Sequence, residues 1–344
     1  MMLIFSSSLI ISTLIALTSN SWMMIWMMLE VNLMSFLPIM KMNSNNKMNF
    51  LFKYFIIQTI SSSTFLMAIL MIWIIQFNDN FKMINMNFMN LLISFSMILK
   101  MGLAPFHFWY IEIMMNLQWM IFLIMSTWQK IIPLLIISLI PMNLIIYMMI
   151  ILSSLISALQ GLTQINLRKI FAFSSINQTS WLTMNSSMSF YLMMMYMMIY
   201  MLISFNIMYL FNFNNFSYLH EIYLMNFYSY KTKFLLFSNI LSLAGLPPFL
   251  GFLIKLISIK MLIFNNLYLI TIIMIMASLM TLYFYLRLTY SSMIMINSKN
   301  KLNLINMNLL INNKLKFSQL NKLMFMSSML NFFILMTILI LTFN

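Results

Sequence analysis

Cysteine is missing from all 344 residues. The chain alone therefore holds no disulfide, no thiolate-bound metal and no iron–sulfur cluster. Two histidines and four acidic residues are too few for a haem ligand pair or a carboxylate metal cage. Four glycines, at 102, 161, 245 and 251, leave no glycine-rich loop to cradle a phosphate. Charged residues make up only 6% of the chain. A soluble domain carries roughly a quarter, so an ordinary water-soluble fold is excluded. Any redox chemistry or nucleotide binding that this chain serves is expected on other chains.

What the chain has instead is apolar length. Hydrophobic residues make up 63% of it, and unbroken runs such as LMMMYMMIYMLISF (192–205) and LYLITIIMIMASLMTLYFYL (267–286) recur from end to end. A helix needs about 20 apolar residues to cross a bilayer, whereas the strands of a membrane barrel alternate over about ten. The pattern predicts an all-α polytopic membrane protein with about eleven crossings, two of them broken. They fall near 2–18, 22–40, 51–76, 87–109, 118–139, 143–162, 170–185, 188–211, 234–257, 266–286 and 323–342. Residues 1–344 read as one transmembrane domain, with a polar segment at 291–322 lying along the surface before the last crossing.

Composition points to origin. Methionine (45) and phenylalanine (32) abound, while Val31 is the only valine. An extremely A/T-rich gene with ATA read as methionine gives this bias, which indicates an animal mitochondrial genome. The N-terminal MMLIFSSSLIISTLIAL has neither a cleavage site nor an arginine-rich presequence, and reads as the first crossing.

The formal charge of +14 suggests nucleic acid, but the cations stand singly between apolar runs instead of clustering with aromatics. No nucleic-acid partner is expected. The cations mark the two sides of a membrane instead. Loops that follow even-numbered crossings hold thirteen, from Lys41 to Lys322, and odd loops hold only Lys82 and Lys260. This predicts an N-terminus toward the matrix and a C-terminus toward the intermembrane space.

Three lysines remain: Lys100, Lys130 and Lys255, each inside an apolar run, as Glu30 is in WMMIWMMLEVNLMSFLP. A charge at the centre of a crossing costs on the order of 3 kcal/mol, so such residues usually face a bundle interior or a hydrated path. The bland alternatives are a structural ion pair or a lysine reaching for the interface. Helix breakers supply a second signal. Gly102 and Pro105 follow Lys100, and Gly245, Pro247, Pro248 and Gly251 precede Lys255. Proline removes a backbone donor, and freed backbone groups are tolerated at membrane depth only where they are buried or line a cavity. Transporters place such breaks at ion sites. His107 is a secondary candidate, since a lone histidine is more often packed and hydrogen-bonded than a proton carrier. Asp79 and Glu221 read as solvated loop charges.

At these residues the chain resembles the subunit 2 family of mitochondrial NADH:ubiquinone oxidoreductase, respiratory complex I. The resemblance rests on TSNSWMMIWMMLEVNLMSFLP, FKYFIIQTISSS, LKMGLAPFHFWYIE, TWQKIIPLL, QGLTQINLRKIFAFSSI, LSLAGLPPFLGFLIK and LYFYLRLTYS, in order from residue 18 to residue 291. The family is similar to cation/proton antiporter subunits. The resemblance implies a proton-translocating subunit of the mitochondrial inner membrane, with a relay that falls on Glu30, Lys100, Lys130 and Lys255. It implies that NADH, FMN, iron–sulfur clusters and ubiquinone are held by partner subunits, that other membrane-arm subunits are its partners, and that phospholipid surrounds it. Lysine suits a relay because burial can remove its charge, whereas arginine keeps its own. Two alternatives stand beside this reading. A self-standing cation/proton antiporter needs cation-binding carboxylates, and only Glu30 lies in an apolar run. A purely structural anchor leaves four costly ionisable groups without a purpose.

Overall fold

The computed structural model describes residues 2–42, 48–77, 82–222 and 230–294. They form thirteen α-helices: α1 (Met2–Thr18), α2 (Trp22–Met42), α3 (Met48–Phe77), α4 (Lys82–Met101), α5 (Phe108–Asn116), α6 (Trp119–Ser126), α7 (Ile131–Ser138), α8 (Leu144–Leu162), α9 (Leu167–Met188), α10 (Phe190–Asn214), α11 (Tyr230–Ala244), α12 (Leu250–Phe264) and α13 (Tyr268–Ile294). The first ten expected crossings coincide with these helices, because α4 with α5, α6 with α7, and α11 with α12 each make one interrupted pass. The expected eleventh crossing at 323–342, and the polar segment beyond Ile294, lie outside the described residues.

Six helical stretches among the described residues are long and apolar enough to cross a bilayer, and the interrupted pass 119–138 is one of them. The seventh crossing, α9, is not, because it is rich in serine, threonine, asparagine and glutamine. Lipid would leave those groups without partners. The fold places α9 at the centre instead, packed against α5, α7, α8, α10, α12 and α13. Every residue from Ile170 to Ser186 is buried. Its hydroxyls are satisfied locally: Ser174 donates to the Phe171 carbonyl at 2.9 Å, Ser175 to Ala172 at 2.8 Å and Ser180 to Asn177 at 2.6 Å. Such bonds to the preceding turn let a polar helix sit in an apolar bundle.

The cation-bearing loops meet at one end of the bundle. There Lys53 pairs with Glu112 at 2.6 Å, and Arg168 donates to the Met115 carbonyl at 3.0 Å. Arg287 reaches the Leu162 and Gln164 carbonyls at 2.8 and 2.7 Å. The Leu167 and Leu219 amides pair with the Ser217 and Ile165 carbonyls. At the other end, Asn265 contacts the Met188 sulfur. Lys53, Arg168 and Arg287, expected in loops, lie within α3, α9 and α13, so the contacts join the ends of the passes that flank the loops after the second, fourth, sixth, eighth and tenth crossings, the grouping that the cation count predicts. Glu221, expected to be a solvated charge, instead accepts from the Ser217 and Tyr218 amides and the Ser217 hydroxyl. Partial burial pushes its carboxyl upward, but those three donors prevail and hold it below the usual carboxylate range. Asp79 lies outside the described residues. Lys233, expected in a loop, stands in the first turn of α11 and is buried.

Candidate functional site

Two of the interruptions share one backbone design. Gly102 (φ +68°) stops α4 and Gly245 (φ +86°) stops α11. The Gly102 amide donates to the Leu99 carbonyl and the Leu103 amide to Ile98, both at 3.2 Å. The Gly245 amide donates to Ser242 at 3.1 Å and the Leu246 amide to Leu241 at 3.3 Å. These are Schellman closures, whose left-handed residue is ordinarily glycine. The sequence placed Gly251 among the breakers, but it lies in the first turn of α12. A Cβ there would collide with the Ser242 carbonyl oxygen. Gly251 is small so that α12 can approach α11, and it does not end a helix.

Each closure leaves carbonyls without helical donors, and side chains cover them. After α4, the Gln58 amide donates to the Lys100 carbonyl at 3.3 Å. At α11 the reason lies in the sequence. The carbonyls of Leu243 and Ala244 would take the amides of residues 247 and 248 in a continuing helix, and both of those are prolines, which have none. The Lys255 ammonium donates to these two carbonyls, at 3.4 and 3.1 Å. The Gln178 amide donates to Leu243 as well, at 3.3 Å.

The third interruption was not legible as a break. Trp128–Lys130 forms a single 3-10 turn between α6 and α7. Pro133 follows, so the Gln129 carbonyl has no amide four residues on. Lys130 stands in that turn, 2% exposed. Its ammonium donates to the Ser175 carbonyl at 3.3 Å and lies 4.7 Å from the centre of the Tyr110 ring. The Tyr110 hydroxyl meets the Ser175 hydroxyl at 2.7 Å.

All three lysines are thus buried: Lys100 and Lys130 stand at interruptions, and Lys255, in the second turn of α12, reaches back to one. Lys100 and Lys130 line one narrow cavity together with Tyr54, Gln58, Tyr110 and Gln129, with space for about one water. A second, smaller cavity is lined by Lys255, Gln178, Tyr196 and Tyr200. Helix α9 joins the two: Ser175 bonds Lys130 and Tyr110 of the first cavity's wall, and Gln178, three residues on, lines the second. Glu30 is half-buried on α2, beside Leu29 of the first cavity's wall, and does not line that cavity. It interacts with Lys100 through space without forming an ion pair with it. His107 is 2% exposed, with its ring nitrogens 3.2 Å from the Pro105 carbonyl and 3.2 Å from the Gln160 side-chain oxygen. Among the described residues no group of three metal-ligating side chains comes together.

Sequence reasoning missed Gln58, Tyr110, Ser175, Gln178 and Tyr196. The bias of α9 toward amides and hydroxyls was the one signal that could have pointed to two of them.

The chain matches the family model described as NADH:quinone oxidoreductase/Mrp antiporter, TM, over residues 19–281. It is 43% identical over 308 residues to NADH-ubiquinone oxidoreductase chain 2 of Anopheles gambiae, covering 88% of this chain and 89% of that one. Among solved structures, a chain of respiratory complex I from Thermus thermophilus with bound aureothin superposes with a TM-score of 0.75 at 17% identity, covering 83% of this chain and 69% of that one. A chain of the Mrp complex from Dietzia sp. DQ12-45-1b superposes with a TM-score of 0.72 at 16% identity, covering 82% of this chain. This protein spans only 58% of that longer Mrp chain. At such identities the structural likeness shows the fold alone. The 43% identity to the mosquito protein over nearly nine-tenths of both chains shows more: this chain belongs to the NADH-ubiquinone oxidoreductase chain 2 family.

Proposed function

We propose that this chain moves protons through the inner membrane along Lys100, Lys130 and Lys255, with Glu30 acting on Lys100 from one flank. As a family member it is a multi-pass inner-membrane subunit of proton-translocating NADH:ubiquinone oxidoreductase. In this reading NADH, FMN, iron–sulfur clusters and ubiquinone belong to partner subunits, and residues 1–344 act as one transmembrane unit in contact with other membrane-arm subunits and phospholipid. The N-terminus faces the matrix. The observation that carries the relay is that Lys100, Lys130 and Lys255 are all buried with a helix interruption beside them, two of them on one cavity.

Magnitudes favour a row over a single group. Two unit charges about 10 Å apart interact by roughly 1.7 kcal/mol at an effective dielectric near 20. Carrying one charge across about 100 mV costs about 2.3 kcal/mol. One neighbour switching is too weak against a substantial potential, and two or three acting in sequence are sufficient. Lys100→Met in the assembled complex is expected to lower NADH-driven proton uptake in reconstituted vesicles by about tenfold or more, as for loss of a proton-transfer group. Normal uptake at normal assembly would remove Lys100 from the path.

A further inference from the structure

The carbonyl end of α11 has more donors than a structural cap requires. Lys255 donates to both freed carbonyls, yet Gln178 also donates to one of them, the Leu243 oxygen. That oxygen can only accept, so the amide nitrogen of Gln178 faces it and the amide oxygen faces the other way. There the Tyr196 hydroxyl meets the amide oxygen at 2.5 Å. Because an amide oxygen has no proton, the phenol must donate. The polarity of the whole row is therefore fixed: Tyr196 to Gln178, and Gln178 to Leu243. Gln178 is 5% exposed, Tyr196 2% and Lys255 7%, so water cannot readily exchange for any of these bonds. Gly245 completes the arrangement, since a Cβ there would come within 3.1 Å of the Lys255 ammonium.

We propose that Gln178 and Tyr196 form a latch of fixed polarity that lets the Lys255 ammonium leave the end of α11 and return to it. The inference rests on the relay reading above and assigns two positioning residues to its terminal lysine. Were Lys255 the sole donor, its departure would leave two buried carbonyls unsatisfied. With Gln178 in place, Leu243 keeps a donor and only the Ala244 carbonyl is left without one. Tyr196 has a separate part. By occupying the amide oxygen it denies Lys255 a third acceptor, which a freely turning amide would offer and which would hold the ammonium fast.

The test compares Gln178→Leu, Gln178→His, Tyr196→Phe and Lys255→Met in the assembled complex, by NADH-driven proton uptake in vesicles at matched assembly. Gln178→Leu and Tyr196→Phe are each expected to slow uptake by about tenfold, the kinetic equivalent of one buried hydrogen bond. Gln178→His is expected to retain at least half of wild-type uptake, because a neutral imidazole carries one donor and one acceptor and keeps the polarity. A packing role would not distinguish His from Leu in this way. Equal uptake in the Leu and His variants, or normal uptake in Tyr196→Phe, overturns the latch. If Lys255→Met pumps normally, the relay reading fails and the latch with it. If Lys255→Met is inactive while Gln178→Leu and Tyr196→Phe are normal, the latch alone fails.

Discussion

At the scale of single residues, the surroundings of the Lys130 ammonium are simple. One carbonyl and one aromatic face hold its ammonium, and no carboxylate among the described residues pairs with it. An ammonium over a desolvated ring is stabilised by about 2 kcal/mol, comparable to a hydrogen bond from a charged group. Tyr110 therefore acts chiefly through its ring, and its hydroxyl serves Ser175. The two parts separate by substitution. Tyr110→Phe keeps the ring and is expected to retain most proton uptake in vesicles. Tyr110→Leu removes it and is expected to cost several-fold. Equal losses in the two would mean that the hydroxyl bond to Ser175, and not the face under Lys130, is what matters. Gly102 belongs to the same contact, since a Cβ on it would approach the Tyr110 Cβ to 2.7 Å.

At the scale of elements, the two prolines that follow α11 do more than stop a helix. They withhold the two amides that would compete with Lys255 and Gln178 for the Leu243 and Ala244 carbonyls. Replacing Pro247 and Pro248 by alanine returns those amides, while Gly245 still closes α11. Assembly is expected to persist and proton uptake to fall. Unchanged uptake would reduce the double proline to a stop signal. This break and the one at Gly102 were legible because glycine and proline beside a lysine in an apolar run are local anomalies. The interruption at Lys130 was not, for TWQK contains neither residue and its cause, Pro133, stands inside the next helix. The centrality of α9 escaped for a different reason. Hydropathy measures what lipid tolerates, and a polar helix enclosed by six others never meets lipid. Gln58 and Gln178 were invisible because a glutamine in a crossing has no meaning until the carbonyl it covers is known, and that carbonyl belongs to another helix.

At the scale of the whole molecule, the contacts decide which ends of the passes lie together, and the proposed orientation rests on the lysine and arginine bias. The Lys53–Glu112 pair, the Arg168 and Arg287 bonds and the Glu221 cluster tie together the loops after even-numbered crossings. If one of the eight passes from α3 to α13 did not cross, these contacts could not form while Asn265 and Met188 met at the opposite end. Cations are retained on the side where the chain is synthesised, which for a mitochondrial gene is the matrix. The lack of native cysteine makes this directly measurable, because a single introduced thiol is the only one on the chain. Thr163, in the loop after α8, and Asn20, in the loop after α1, are both exposed. Thr163→Cys is expected to react with an impermeant maleimide in inverted inner-membrane vesicles and not in mitoplasts, and Asn20→Cys the reverse. Labelling of both from one side would break the parity of the crossings. Exchange of the two patterns would keep the parity and turn the protein over, placing the carbonyl end of α11 and its lysine on the opposite half of the proton's route.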